Sequence, residues 1–426
     1  MANFQFTVRA TDSDGAYADR NFGITVNNTR VERYMVIDGN HAYTSPDLVS
    51  WTTRNGQGGW DCVYGNGQWL ILTNNNTNRD TNSSGGMIQG GGAYSTMPNS
   101  ALVVRKSLDG VNYTAFTQNS GAVTLTLPSG TVLPTTPTTN QVMGKLSFSN
   151  GYFWMQMLLG DVGSTSPVNQ YVARSADGLA WTLFLVPARG SFVYDSTNGH
   201  YLRNFTKVQD SGSDIFIGNL GNTAQGGSVN IYGWRSSDLG ATWIPVTDST
   251  GKSNGVSNYV SPMITRVNGL WLAAGVYTAG IPFMVSNDGV NWSACNTVAG
   301  HILGHYVHDV VYANGTLYAA MNRNNTASSS TAYYLASNDG INWTQTGFTN
   351  MSSNGAAYSQ YTNMFYKNGY LVFGNNGTGA SSQRPFGYTF AGTTDSMVLP
   401  GTPNINTTTG PQVPFNYVVG MAAMGS

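Results

Sequence analysis

Charge is what this chain has least of. Asp, Glu, Lys and Arg make up 9 % of its 426 residues, against about 25 % in an ordinary soluble domain. Its net charge is −1 and no basic stripe runs along it, so a phosphate backbone would meet little attraction and nucleic acid is not an expected partner. Glutamate occurs once, as Glu32, which leaves carboxylate chemistry almost wholly to aspartate. The two cysteines, Cys62 and Cys295, fall in different repeats. They offer no disulfide framework and are expected as buried thiols of a chain that folds in a reducing compartment. The opening MANFQFTVRA has neither a basic segment nor the apolar core of a leader, and no apolar run approaches a membrane span, so membrane insertion is not expected.

What is present is repetition. A Ser-x-Asp turn followed by an aromatic recurs six times: SPDLVSW (45–51), SLDGVNY (107–113), SADGLAW (175–181), SSDLGATW (236–243), SNDGVNW (286–292) and SNDGINW (337–343). Between the copies lie short β-prone runs broken by Asn-Gly or a close variant: VYGNGQWL (63–70), SFSNGYFW (147–154), VYDSTNGHYL (193–202), TRVNGLWL (265–272), VYANGTLY (311–318) and FYKNGYLV (365–372). Asn-Gly between two β runs predicts a hairpin, because both turn residues must reach positive φ. Each unit therefore reads as strand A, a hairpin turn, strand B, a variable loop, strand C, an aspartate turn and strand D. Such a unit is one four-stranded antiparallel blade, and blades that cannot cover both faces alone must stack.

The aspartate turn resembles the Asp-box of the sialidase and BNR-repeat β-propellers, Ser-x-Asp-x-Gly-x-x-Trp. The copy at Ser236 matches in full, four copies are one residue shorter and the Ser45 copy lacks the glycine. The resemblance implies an all-β, six-bladed propeller over residues 31–392. Asp47, Asp109, Asp177, Asp238, Asp288 and Asp339 would hold the turns, and Trp51, Tyr113, Trp181, Trp243, Trp292 and Trp343 would fill the wedges between blades. The last hairpin has no aspartate turn after it and the first turn has no recognised hairpin before it, so the chain ends are expected to share one blade and close the ring.

Residues 1–30 form a separate hairpin, FQFTVRATDSDGAYADRNFGITV (4–26), which resembles the end of an Ig-like or cadherin-like domain. A lone hairpin is marginal in water, so it is expected to dock on the propeller, a copy of itself or another protein. Asp12 and Asp14 there are read as an ordinary turn, since a calcium site needs further acidic ligands. Residues 393–426 form a tail rich in Pro, Thr and Gly that ends in apolar FNYVVGMAAM (415–424), a docking segment.

Strand order sorts the connections. The hairpin and aspartate turns fall on one rim, and the B–C and D–A connections on the other. The long insertions belong to the second rim, among them 74–100, 118–143, 156–170 and 247–261, and length variation on one face marks a binding side. The Gly-rich GGMIQGGGAYSTM (85–97) lacks the lysine and helix of a phosphate loop. Tyr94, Tyr277, Tyr306, Tyr333 and Tyr358 on this rim are candidate sugar-stacking residues, since tyrosine joins an apolar ring to a hydroxyl; the alternative is that they pack their own loops.

Alignment on the hairpin glycine makes Asp61, Lys145, Ser191, Met263, Asp309 and Asn363 equivalent at the start of strand A, so Asp61 and Asp309 are the candidate catalytic carboxylates if the chain is an enzyme. His301, His305 and His308 lie within eight residues, but their spacing fits no metal motif; a polar loop is preferred and no metal or other cofactor is expected. The sialidase resemblance implies a tyrosine activated by a glutamate, an aspartate acid/base and three arginines, and the one glutamate lies outside the inner strands. The uncharged, Gly/Asn/Ser/Thr-rich composition looks like that of bacteriophage surface proteins. The expectation is a non-catalytic virion protein of tail or capsid, assembled in the host cytoplasm in several copies. It would meet other virion proteins through its hairpin or tail and host glycans through its loops. The alternatives are a sialidase-like or other glycan-degrading hydrolase and a carbohydrate-binding propeller.

Overall fold

The computed structural model is an all-β β-propeller. It describes residues 2–11, 13–26, 32–37, 40–47, 50–74, 101–137, 140–160, 169–186, 209–211, 214–221, 230–246, 263–278, 281–288, 293–298, 305–323, 331–352, 361–367, 370–375, 386–390 and 420–424. Among these the one helical element is a single 3-10 turn at Gln118–Ser120. No described helix is long and apolar enough to cross a membrane.

At the N-terminus, β1 (Ala2–Thr11) and β2 (Tyr17–Val26) make a two-stranded antiparallel ribbon. The propeller starts with β3 (Tyr34–Ile37), β4 (His41–Ser45) and β5 (Thr52–Asn55). The next sheet is β6 (Asp61–Gly65), β7 (Gln68–Asn74), β8 (Leu102–Ser107) and β9 (Thr114–Thr117). A third holds β10 (Thr124–Thr126), β11 (Asn140–Ser149), β12 (Tyr152–Gly160), β13 (Asn169–Ser175) and β14 (Ala180–Leu185). A fourth holds β15 (Gln209–Ser211), β16 (Asp214–Gly221), β17 (Asn230–Ser236) and β18 (Ile244–Val246). The fifth is β19 (Met263–Val267), β20 (Leu270–Thr278), β21 (Ile281–Ser286) and β22 (Ser293–Ala294). The sixth is β23 (His305–Ala313), β24 (Thr316–Arg323), β25 (Thr331–Ser337) and β26 (Thr344–Ser352). Last come β27 (Tyr361–Lys367), β28 (Tyr370–Asn375) and β29 (Phe386–Phe390), while β30 (Gly420–Ala423) pairs antiparallel with β3.

The expected count of six blades is corrected. Among the described residues five sheets have four strands, and one of five and one of three stand beside them. Motif counting missed for local reasons. The sheet that holds the Ser45 turn has the order β30–β3–β4–β5, so its first strand comes from the far end of the chain and no A–B hairpin precedes the turn. The sheet β27–β29 has no Ser-x-Asp turn at all. The run 193–202 lies outside the described residues, and the hairpin that leads into the Ser236 turn is β15–β16, with Ser211 opposite Asp214.

The hairpin turns follow the expected chemistry where they are described. Asn66-Gly67 has φ of 47° and 74°, and Asn314-Gly315 has 49° and 84°, the left-handed pair that a two-residue hairpin needs. Asn66 Nδ2 donates to Gly151 O at 2.9 Å and Ala176 O at 2.8 Å in the next sheet, so hairpin turns and aspartate turns share a rim.

Apolar side chains meet between sheets. Leu70, Leu72, Leu102 and Val104 of one sheet pack on Phe153, Met155, Trp181 and Leu183 of the next, and Leu272, Phe283 and Val285 pack on Leu317, Leu335 and Trp343 further along. Each large side chain removed from water contributes about 1.5–3 kcal/mol. The insertion 118–143 is not a free rim loop throughout: β10 adds in parallel to the outer edge of β14, with Val123 and Leu125 buried.

Candidate functional site

The six aspartate turns are built alike. In each, the serine hydroxyl donates to the aspartate Oδ1, at 2.9 Å for Ser107 and Asp109 and at 2.7 Å for Ser236 and Asp238; the pairs 45/47, 175/177, 286/288 and 337/339 do the same. All six serines are buried. Backbone N–H groups then fold onto the carboxylate, from Val111 and Asn112 at Asp109 and from Ile341 and Asn342 at Asp339. The turn glycine is needed for two reasons at Gly178: φ is +77°, and a Cβ would lie 2.5 Å from Leu70 Cδ1 of the neighbouring sheet. The longer copy at Ser236 puts a non-glycine residue, Leu239, at φ 56° before Gly240.

These bonds set the carboxylates' acidity. Burial pushes Asp109 up, but the N–H groups of Asn112 and Val111, the Asn112 amide and the Ser107 hydroxyl outweigh it and hold Asp109 at about 2. Asp339 is lowered chiefly by the Asn342 N–H. Asp177 and Asp238 are lowered too, against the effect of burial, by hydrogen bonds within their turns. A carboxyl whose folded pKa lies below its unfolded value of about 4 stabilises the fold fully above that value and loses the contribution as pH falls through the folded pKa. The urea midpoint should therefore hold from pH 7 to about 5 and fall steeply between about pH 4 and 2, with a shallower fall in Asp339→Asn. A midpoint flat across that window would show that the turns do not carry the acid sensitivity.

Of the turn aromatics, Trp181 and Trp343 are buried, and their indole N–H groups donate back to Gly178 O at 3.0 Å and Gly340 O at 2.7 Å. Trp243 is buried in the longer turn, and its indole N–H has no hydrogen-bond partner among the described residues. Trp51 and Tyr113 are half-buried. Trp292 lies outside the described residues.

Asp61 is buried at the start of β6, where Oδ1 accepts from Cys62 N and Oδ2 from Leu146 N of the next sheet, both at 2.9 Å. Asp309 repeats the arrangement in β23: Oδ1 accepts from Val310 N at 3.0 Å and Oδ2 from Met364 N of β27 at 2.9 Å. Leu146, the donor to Asp61, and Asp309 itself each border a register shift in their strands.

Glu32 is fully buried, with Oε1 3.1 Å from Arg54 Nη2. Tyr113 is the tyrosine that senses it. Burial first raises the Tyr113 phenol well above its ordinary value; Cys62, Asp109 and Glu32 add to the rise and Arg54 opposes it. A tyrosine made nucleophilic would be shifted the other way. Arg105 donates to Gly58 O and Arg174 to Leu239 O, and Arg235 pairs with Asp214, so these guanidinium groups serve the frame. Cys62 and Cys295 are buried and in no disulfide, and burial pushes Cys295 up to about 11.

On the opposite rim, Tyr277 lies in β20, Tyr306 in β23 and Tyr333 in β25, with Tyr306 opposite Asn322 and Tyr333 opposite Met321. Tyr94, Tyr358 and His301 lie outside the described residues, while His305 and His308 lie in β23. Among the described residues no group of His, Cys, Asp and Glu side chains is placed to hold a metal.

No family model and no curated protein matches the chain. Among solved structures it is similar to an α-L-arabinanase of Penicillium chrysogenum complexed with arabinobiose, at 16% identity and TM-score 0.40, covering 59% of this chain and 78% of that one. It is also similar to the GH93 α-L-arabinofuranosidase of Fusarium graminearum with arabinobiose, at 12% identity and TM-score 0.41, covering 61% and 79%. A third is the GH32 β-fructofuranosidase of Bombyx mori, at 13% identity and TM-score 0.35, covering 81% and 71%. The expectation of a non-catalytic virion protein is corrected on this finding, since the solved structures it resembles are sugar-cleaving enzymes by name. At these identities and scores the likeness carries nothing about this chain's own reaction.

Proposed function

We propose that the chain is a glycan-degrading β-propeller that takes a neutral polysaccharide on the rim of its B–C and D–A connections. The observation that carries this reading is the occupation of the other groups. All six turn aspartates are engaged within their own turns, and Asp61 and Asp309 accept backbone N–H bonds that fasten one sheet to the next. The chemistry is then left to the rim where the chain places its long insertions. Among the aspartates in those connections are Asp80, Asp161, Asp195 and Asp248, and hydrolysis of a glycoside needs two such carboxyl groups. Low charge and abundant Asn, Ser, Thr and Tyr suit a polyhydroxylated, uncharged substrate.

The turns are, in this reading, Asp-boxes, and the sheets form one ring closed by the chain ends. In support, β30 pairs with β3 and lies against both β6 and β27, and the Tyr34 ring stacks on Phe365 with centroids 6.1 Å apart. The propeller then takes in the tail's last strand, and residues 1–30 stand apart as a docking segment.

The test is reducing-end release by the purified chain from arabinan, fructan and xylan, alongside acidic polygalacturonate. Release from a neutral polymer, little affected by salt and abolished by Asp→Asn at one or two of these aspartates, is expected. Retention on a neutral glycan without release would support the carbohydrate-binding alternative, and neither release nor retention would overturn both.

A further inference from the structure

From β5 to β6 the chain runs through residues 56–60, a D–A connection, beside Asn40 of the B–C connection that joins β3 to β4. It is fastened along its length. Gln57 N donates to Arg54 O at 3.3 Å, Gly58 N to Asn40 O at 3.0 Å and Trp60 N to Leu72 O at 2.8 Å, while Arg105 Nη1 donates to Gly58 O. Two glycines permit this close passage: a Cβ on Gly58 would stand 2.3 Å from Asn40 C, and one on Gly59 2.3 Å from Leu72 O. Trp60 is therefore delivered by a backbone tied to two sheets.

The Trp60 side chain is half-buried and packs against the apolar cluster that holds Leu72 and Leu146, so part of it is supported and part stays in solvent. Its indole N–H has no hydrogen-bond partner among the described residues, and unlike that of Trp69 it is not sealed from solvent. Asn55, exposed at the end of β5, and Gln57, half-buried, bring two side-chain amides that make no hydrogen bond among the described residues. The repeat does not ask for a tryptophan here. At the equivalent place before strand A the other units have Gly144, Gly190, Pro262, His308 and Thr362.

Resting on the reading of this rim as the glycan side, we propose that Trp60 is the floor of a subsite for one ring of a neutral saccharide. The apolar C–H face of the sugar lies on the indole, and its hydroxyls meet the indole N–H and the amides of Asn55 and Gln57. An indole joins a large apolar surface to a donor at its edge, and an amide both donates and accepts, which suits hydroxyls in any orientation. None of the three side chains carries a charge, and the nearby Arg105 is engaged at Gly58 O. The fastened connection holds the platform ready before the sugar arrives, so little ordering is left to binding.

The experiment compares wild type, Trp60→Ala, Trp60→Phe and Gln57→Ala on arabinan, fructan and xylan, with KM and kcat for release, the half-saturation of retention, and the melting temperature of each variant. Trp60→Ala should raise KM or half-saturation on the order of tenfold and move kcat little. Trp60→Phe should recover most of that affinity, and Gln57→Ala should raise KM about threefold, both at the wild-type melting temperature. Release or retention by wild type with an unchanged constant in Trp60→Ala would overturn the subsite and leave the glycan reading standing. A wild type that neither releases nor retains any of the three polymers would overturn both.

Discussion

Trp343→Ala is expected to destabilise the protein by about 3–5 kcal/mol, the range for deleting a large buried aromatic. Trp343 is buried at the junction of two sheets and stacks on Phe283 with ring centroids 4.5 Å apart and planes 29° apart. Around it pack Leu272, Val285, Leu317 and Leu335, from strands whose register is fixed by hydrogen bonding on both sides, so the site has little room to collapse around a cavity. Trp343→Phe keeps the ring contact and loses the bond to Gly340 O, so it should cost about 1–2 kcal/mol. Trp243→Phe should cost less than that, because its indole N–H has no partner among the described residues to lose. Urea unfolding of the three variants checks the order. A loss within error for Trp343→Ala would mean that this aromatic does not fill an inter-sheet wedge.

Asp61→Ala is the second large effect. It strips a buried acceptor from two backbone N–H groups, and one of them, Leu146 N, belongs to the next sheet. Each buried donor left unsatisfied costs about 1–3 kcal/mol, so a loss of about 2–5 kcal/mol is expected. Asp61→Asn keeps an acceptor oxygen for one of the two and should recover about half of it. Protease cleavage within 143–146 should rise in the alanine variant, since the bond to Asp61 lies beside the register shift between Met143 and Leu146. Equal stability of wild type and Asp61→Ala would show that the two bonds contribute nothing.

Much of this architecture was legible in the sequence because its signals are local. An aspartate that gathers its own turn's N–H groups does so whatever surrounds it, and Asn-Gly reports a left-handed pair directly; both kinds of turn formed at the described copies. The count failed where a sheet departs from the repeat. The sheet of the Ser45 turn takes β30 as its first strand in place of a hairpin partner, and β27–β29 has no aspartate turn. Alignment on the hairpin glycine makes Asp61 and Asp309 equivalent, and both carboxylates accept a backbone N–H from the next sheet. It offers them as catalytic carboxylates because spacing along a chain says nothing of what a carboxylate accepts from a neighbouring strand. Glu32 was set aside as outside the inner strands, and nothing local announced its burial beside Arg54, a pair joined by a separation of 22 residues.

The central claim is that Asp61 and Asp309 fasten sheets while catalysis belongs to the aspartates of the B–C and D–A connections. It is tested most directly by turnover of the best neutral glycan by Asp61→Asn and Asp309→Asn, measured per folded molecule. The account predicts kcat/KM close to wild type with a lowered melting temperature in both variants. A fall of about a thousandfold in kcat/KM at an unchanged melting temperature would contradict it and return the chemistry to Asp61 and Asp309.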